Sequence, residues 1–153
     1  KTNVMRLLDA NKISYNPFFF KVEVAPTGSE MADILGVPHK STFKTLVTKS
    51  AKNINYVFMI PVDEELDLKK CAKAVNEKSI EMIKSKDLLG LTGYVHGGCS
   101  PIGMKKPFKT VIDESVLEFS KIVFSAGKIG YMVEVSPFDL KKIVNYITYD
   151  IKV

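Results

Sequence analysis

TFKTLVTKSAKNINYVFMIPV, residues 42–62, contains two runs rich in β-branched and aromatic side chains, 42–50 and 55–62, separated by a Lys52-Asn53 turn. Such a pattern predicts a pair of strands. Lys44 is the odd residue, a charge set between Phe43 and Leu46 in an otherwise apolar strand pattern. Two readings of it stand. It is a solvent-facing lysine on a half-buried strand, or it sits at the mouth of a cleft, where an ammonium holds a phosphate or a carbonyl oxygen.

Working outward, the segments on either side alternate in character. Residues 3–11 carry Val4, Leu7 and Leu8 at helical spacing, with Asn11 as terminator. Residues 18–24, FFFKVEV, read as a strand. Thr27 and Glu30 fit a capping box that opens a helix through Met31, Ile34 and Leu35, closed by Gly36 and Pro38. Beyond the central pair, 63–75 (DEELDLKKCAKAV) places acids first and lysines later, as the helix dipole favours. Residues 79–83 suggest a strand and 84–108 a long loop-rich region. Strand character returns at 109–114, 121–125 and 131–136, the last two joined as a hairpin through AGKIG. Residues 137–147, with Pro137 first and Leu140, Ile143, Val144 and Ile147 spaced for a helix, are expected to close the chain. The sum is a mixed α/β chain with a strand-rich centre.

Bulk properties narrow the function classes. A chain of 153 residues without repeats or linkers reads as one domain, 1–153, able to bury roughly 70% of its unfolded surface. Its apolar runs fall short of the ~20 residues of a membrane span, and the N-terminus lacks the apolar core of a secretory signal, which together read as a cytoplasmic protein with no membrane contact. Cys71 and Cys99 form no CxxC, and His39 and His96 stand alone, so neither a zinc site nor a disulfide framework is signalled. There is no GxSxG, no GxxxxGK[ST] and no dinucleotide fingerprint. The net charge is +5, and of 22 basic residues only Arg6 is an arginine. Lysine suits gripping a polyanion backbone better than reading base edges, and it equally suits plain solubility.

The second conspicuous stretch is GGCSPIGMKK, residues 97–106. Gly97, Gly98 and Gly103 permit backbone conformations in which N–H groups point at a ligand, or they simply make a tight surface turn. Cys99 invites a nucleophile hypothesis, but a cysteine nucleophile needs a partner that lowers its pKa, and the sequence shows none. Lys105 and Lys106 either steer a phosphate or are merely solvated.

FKTLV at 43–47, GGCSPIGMKK at 97–106 and SAGK at 125–128, in that order, resemble the successive motifs of the YbaK/EbsC family, free-standing relatives of the editing domain inserted in bacterial prolyl-tRNA synthetases. The resemblance runs from the first helix to the last. It implies a mixed, mostly antiparallel sheet or barrel surrounded by helices, no metal and no cofactor. It also implies an aminoacyl-tRNA deacylase that clears mischarged Cys-tRNA(Pro), with tRNA and prolyl-tRNA synthetase as partners. Residue by residue, it makes Lys44 the catalytic lysine at the aminoacyl-tRNA terminus. The loop of Gly97, Gly98, Cys99, Ser100 and Pro101, extended to Ile102 and Gly103, would hold the terminal adenosine and the aminoacyl carbonyl, and Ser125 would line the pocket. Two departures stand out: Ile129 replaces an arginine usual in relatives, and Phe20 falls where many members carry a tyrosine. An editing enzyme for Ala-tRNA(Pro) and a non-catalytic tRNA-binding relative remain as alternatives.

Overall fold

In the computed structural model, which describes Lys1–Val153, the chain alternates short helices with eight strands. In order these are α1 (Asn3–Ala10), β1 (Asn16–Phe19), α2 (Gly28–Leu35), β2 (Phe43–Ser50), β3 (Asn55–Pro61), α3 (Leu68–Ala74) and β4 (Ile80–Met82). There follow α4 (Leu88–Thr92), β5 (Lys109–Asp113), β6 (Ile122–Lys128), β7 (Tyr131–Val135), α5 (Pro137–Leu140) and β8 (Tyr146–Tyr149). Turns of 3-10 helix cover His39–Ser41, Ser85–Asp87 and Glu114–Glu118. No helix is long and apolar enough to cross a membrane.

The predicted pair at 42–62 is the centre of a five-stranded sheet ordered β4-β2-β3-β5-β8. β2 and β3 run antiparallel with Lys44 opposite Ile60, and the chain reverses at Asn53, whose φ of 62° is the left-handed value that asparagine tolerates. β5 and β8 add in parallel, so the sheet is mixed, while β1-β7-β6 forms a separate antiparallel sheet. A parallel bridge between Thr42 and Val123 joins the two.

The unbroken apolar run of β3 has a packing reason. Met59 faces the larger core cluster, together with Phe43, Ile112, Phe124, Val133 and the α1 residues Val4 and Leu8. Phe58 and Ile60 face the other way, onto Cys71 and Ala72 of α3. A strand covered on both faces reads as continuous rather than alternating, and each fully buried side chain contributes about 1.5–3 kcal/mol. A third cluster, Met31 with Val123 and Met132, docks α2 on the outer face of the small sheet.

Several helix ends follow the sequence closely. Thr27 caps α2 through the Glu30 N–H while the Glu30 carboxylate accepts from the Thr27 N–H, and Gly36 closes the helix in the left-handed conformation. Three elements differ from expectation. The strand predicted at 18–24 is β1 at Asn16–Phe19: its partner β7 begins at Tyr131, opposite Phe19, so beyond Phe20 there is no strand left to pair with. The helix predicted at 63–75 begins only at Leu68, capped by the Asp67 carboxylate, because Asp63 is tied to His39 and Leu66 bridges to Lys152. The helix predicted at 137–147 stops at Leu140. Tyr146–Tyr149 instead pair in parallel with β5, and β-branched and aromatic residues fit that role.

Candidate active site

β2 and β6 meet at the Thr42–Val123 bridge and then diverge, and the space between them is a cavity of about 370 Å³. β4 pairs with β2 only from Thr48 to Ser50, so residues 43–47 are left without a strand on that side and form one wall. Thr27, Gly28 and Met31 of α2 form another, Ser125 and Met132 of the small sheet a third, and His96, Gly97 and Cys99 approach from the long loop.

Lys44 lines this cavity, half-buried, and its ammonium lies within 4 Å of no carboxylate, unlike the five lysines elsewhere that do form ion pairs. The nearby Asp63 carboxylate is held below its usual pKa by the Ser29 hydroxyl first and by His39 next, with a smaller contribution from the Lys44 charge. Beside Lys44, the Thr45 hydroxyl oxygen is buried with no hydrogen-bond partner, though Thr45 also lines the cavity. Such a group costs about 1–3 kcal/mol unless a ligand satisfies it. Sequence reading passed over Thr45, and its only local signal is adjacency to Lys44.

The glycine loop divides into a working part and an anchoring part. Gly97 and Cys99 line the cavity, whereas Gly98, Ser100, Pro101 and Ile102 are buried behind it. Gly97 has φ +86°, and a Cβ there would stand 2.8 Å from that of Ala25. At Gly98 a Cβ would come within 3.2–3.3 Å of the Lys128–Ile129 backbone, so the loop lies directly on the β6–β7 hairpin. Ile129 packs there beside Gly97, an apolar support for the loop. Gly103 makes an exposed turn at φ +76°, away from the cavity lining.

Not every N–H in the loop is available to a ligand. That of Gly98 donates to Val95 O at 3.0 Å and that of Ile102 to Ser100 Oγ at 3.4 Å, so neither is free to hold the aminoacyl carbonyl as the resemblance would have this loop do. Pro101 has none. The N–H groups of Gly97, Cys99 and Ser100 donate to no acceptor within the protein. Tyr94, which the sequence did not single out, fastens the loop: its hydroxyl donates to the Ile102 carbonyl and its ring packs against Gly127.

Ser125 lines the cavity, and its Oγ accepts from the Gly127 N–H at 3.2 Å across the bulge in β6. Phe20 does not line it. Phe20 packs behind the wall on the Met31–Val123–Met132 cluster, so its missing hydroxyl takes nothing from the cavity surface. Burial pushes the Cys99 thiol up to about 12, which keeps it protonated near neutral pH and unsuited to nucleophilic attack.

The profile of the aminoacyl-tRNA editing domain family matches residues 22–143, and the chain belongs to that family. Among its relatives, EbsC of Enterococcus faecalis, named as a Cys-tRNA(Pro)/Cys-tRNA(Cys) deacylase, is 43% identical over 146 residues, covering 95% of this chain and 89% of EbsC. A proline–tRNA ligase of Fervidobacterium nodosum is 32% identical over 105 residues, 69% of this chain but only 18% of the ligase. Two solved structures share the fold at lower identity. Hypothetical protein APE2540 superposes with a TM-score of 0.88 at 22% identity, covering 98% of this chain and 99% of its own. A structure described as a trans-editing enzyme for prolyl tRNA synthetase gives 0.82 at 21%, covering 98% and 96%.

Proposed function

We propose that this protein is a trans-acting aminoacyl-tRNA deacylase that clears Cys-tRNA(Pro), and Cys-tRNA(Cys) with it, by positioning the ester for attack by the substrate's own thiol. The observation that carries the reading is a single cavity into which Lys44, without an ion-pair partner, and a loop with unengaged N–H groups are both built. An aminoacyl ester is already an activated acyl group, so a site that orients it and stabilises the oxyanion supplies what the reaction lacks.

The steps follow from that arrangement. The Lys44 ammonium binds the phosphate or ribose end of the substrate and favours the thiolate of the attached cysteine. The sulfur attacks the ester carbonyl, and the unengaged N–H groups of the cavity residues Gly97 and Cys99 receive the developing oxyanion. As the tetrahedral species collapses, the carbon–oxygen bond to the ribose breaks and the proton given up by the thiol ends on that ribose oxygen. Cysteine leaves as a four-membered thiolactone, which water opens. Cys99 takes no covalent part. Met31, Met82 and Met132 on the cavity surface suit a thiol-bearing side chain, since thioethers are polarizable and adaptable.

The whole of 1–153 acts as one editing unit in this reading, in the cytoplasm and alongside prolyl-tRNA synthetase. Deacylation rates with Cys-, Ala- and Ser-charged tRNA(Pro), beside correctly charged Pro-tRNA(Pro), test it. Cys-tRNA(Pro) is expected to be hydrolysed fastest. Preference for the Ala-charged form would make it an alanine editor, and activity on none would leave a tRNA-binding protein.

A further inference from the structure

His39 and its neighbours lie outside the reacting groups but bear on Lys44. In the 3-10 turn before β2, the His39 ring sits between two carboxylates: Nε2 is 2.7 Å from Asp33 Oδ1 on α2, and Nδ1 is 2.9 Å from each oxygen of Asp63, just past β3. The Ser29 hydroxyl, from the first turn of α2, donates to Asp63 Oδ1 as well. An ionised carboxylate only accepts, and a neutral imidazole has one N–H. Both contacts are therefore hydrogen bonds only while the ring carries two protons.

The elements joined in this way are those that wall the cavity. Ser29 and Asp33 flank the cavity residue Met31, Asp63 follows the cavity residue Val62, and Lys44 lies on the strand paired with β3. The charged groups facing the ring are Asp33 from α2 and Asp63 from the end of β3, with Lys44 of β2 beyond Asp63 and Lys40 the exposed neighbour on the same turn.

We infer that His39 is a positioning residue for Lys44: the imidazolium and the Ser29 hydroxyl occupy the Asp63 carboxylate, which keeps Asp63 from closing on the Lys44 ammonium and leaves Lys44 available to substrate. The inference rests on the deacylase reading of the cavity. Lys44 is near enough for its charge to act on Asp63, yet the two form no ion pair, while both Asp63 oxygens are engaged by His39. When the ring loses a proton it keeps one of its two carboxylate contacts; retained on Asp33, the shorter one, it releases Asp63, and the lysine whose charge already acts on Asp63 is Lys44.

The pH direction follows. His39 is raised above its ordinary value, by the Asp33 bond first and the Asp63 bond next, so the clasp is complete below about pH 6.5 and is lost as pH climbs through the raised value. Activity that depends on the clasp has a descending limb on that side.

The test compares the wild type with His39→Gln, Asp63→Asn and the double variant from about pH 6 to about pH 9. Deacylation of Cys-tRNA(Pro) is followed together with the rate at which an amine-acylating reagent modifies Lys44, read by peptide mass spectrometry. His39→Gln is expected to lower kcat/KM about tenfold at about pH 6.5 and to slow Lys44 acylation, because a newly paired ammonium gives up its proton less readily. Asp63→Asn is expected to abolish the descending limb, and the double variant to regain the wild-type rate at that pH. A double variant as slow as His39→Gln would make the role of His39 merely structural and overturn the inference, as would Asp63→Asn with the limb intact. The single Asp63→Asn comparison decides the matter if His39→Gln does not fold. A wild type that deacylates no charged tRNA while Lys44 still responds to both changes would sink the deacylase reading and leave the clasp standing. Normal deacylation with a Lys44 indifferent to both would overturn the clasp alone.

Discussion

The two ends of β2 have nearly the same composition and opposite fates. At the Ser50 end, Thr48 donates to the Tyr56 carbonyl at 3.0 Å, Lys49 pairs with Glu81 at 3.5 Å, and Ser50 Oγ accepts from the N–H groups of Lys52 and Ile54. At the Phe43 end, Lys44 has no carboxylate partner and Thr45 no hydrogen-bond partner. The Ser50 end is satisfied by β3 at Tyr56, by the β2–β3 turn at Lys52 and Ile54 and by β4 at Glu81, whereas residues 43–47 have no β4 beside them and line the cavity. A polar group satisfied within the protein stabilises the fold, whereas one left unsatisfied beside a cavity stays open to a partner from outside it.

Substitutions at matched positions would break or sharpen this contrast. The largest effect is expected from Lys44→Ala, a loss of about 10²–10³-fold in deacylation with stability within about 0.5 kcal/mol of wild type by denaturant titration. Unchanged kinetics there would remove the asymmetry between the ends altogether. Thr45→Val, which deletes the hydroxyl but keeps the shape, is expected to lower kcat/KM about tenfold without loss of stability. Thr48→Val reverses the pattern, costing about 1 kcal/mol in chemical denaturation and leaving deacylation as it was. Cys99→Ala should keep the rate within about threefold, since a buried thiol at about 12 supplies no thiolate. An inactive, folded Cys99→Ala protein would instead make that thiol a participant. The smallest effect belongs to the exposed pair Lys105 and Lys106: changing both to alanine lowers the slope of log affinity for tRNA against log salt by about 1.4 if each touches a phosphate, and not at all if they are only solvated.

Local chemistry made much of the fold legible in advance. The Thr27–Glu30 capping box, the hairpin at 42–62 and the SAGK hairpin all depend on residues close in sequence, and all appear where the patterns put them. The misreadings share a cause, which is that a distant partner decided the outcome. β1 stops at Phe19 because β7 begins opposite it, and after Leu140 the chain leaves the helix for β8 because β5 has a free edge to fill, with Ile143 and Val144 packed on the larger core cluster. At the site, Lys44, Gly97, Cys99 and Ser125 line one cavity, while Phe20, Gly98, Ser100, Pro101, Ile102 and Gly103 do not. Thr45, Tyr94 and the His39–Asp63 contact were not legible, because being unpartnered, clamping a loop or bridging two elements is not a property of a residue's neighbours in sequence.

The sequence by itself determined the Thr27–Glu30 cap, the turns at Asn53 and within AGKIG, the pairing of β2 with β3, and to which family the chain belongs. Periodicity, turn chemistry and motif order are all written within short stretches. Only the tertiary structure decided that Lys44 and not Lys49 faces a cavity, and which loop N–H groups remain unengaged. The strand that covers Lys49 and leaves Lys44 open lies far along the chain, and although the acceptors within the loop are close in sequence, the loop takes its shape on the distant β6–β7 hairpin.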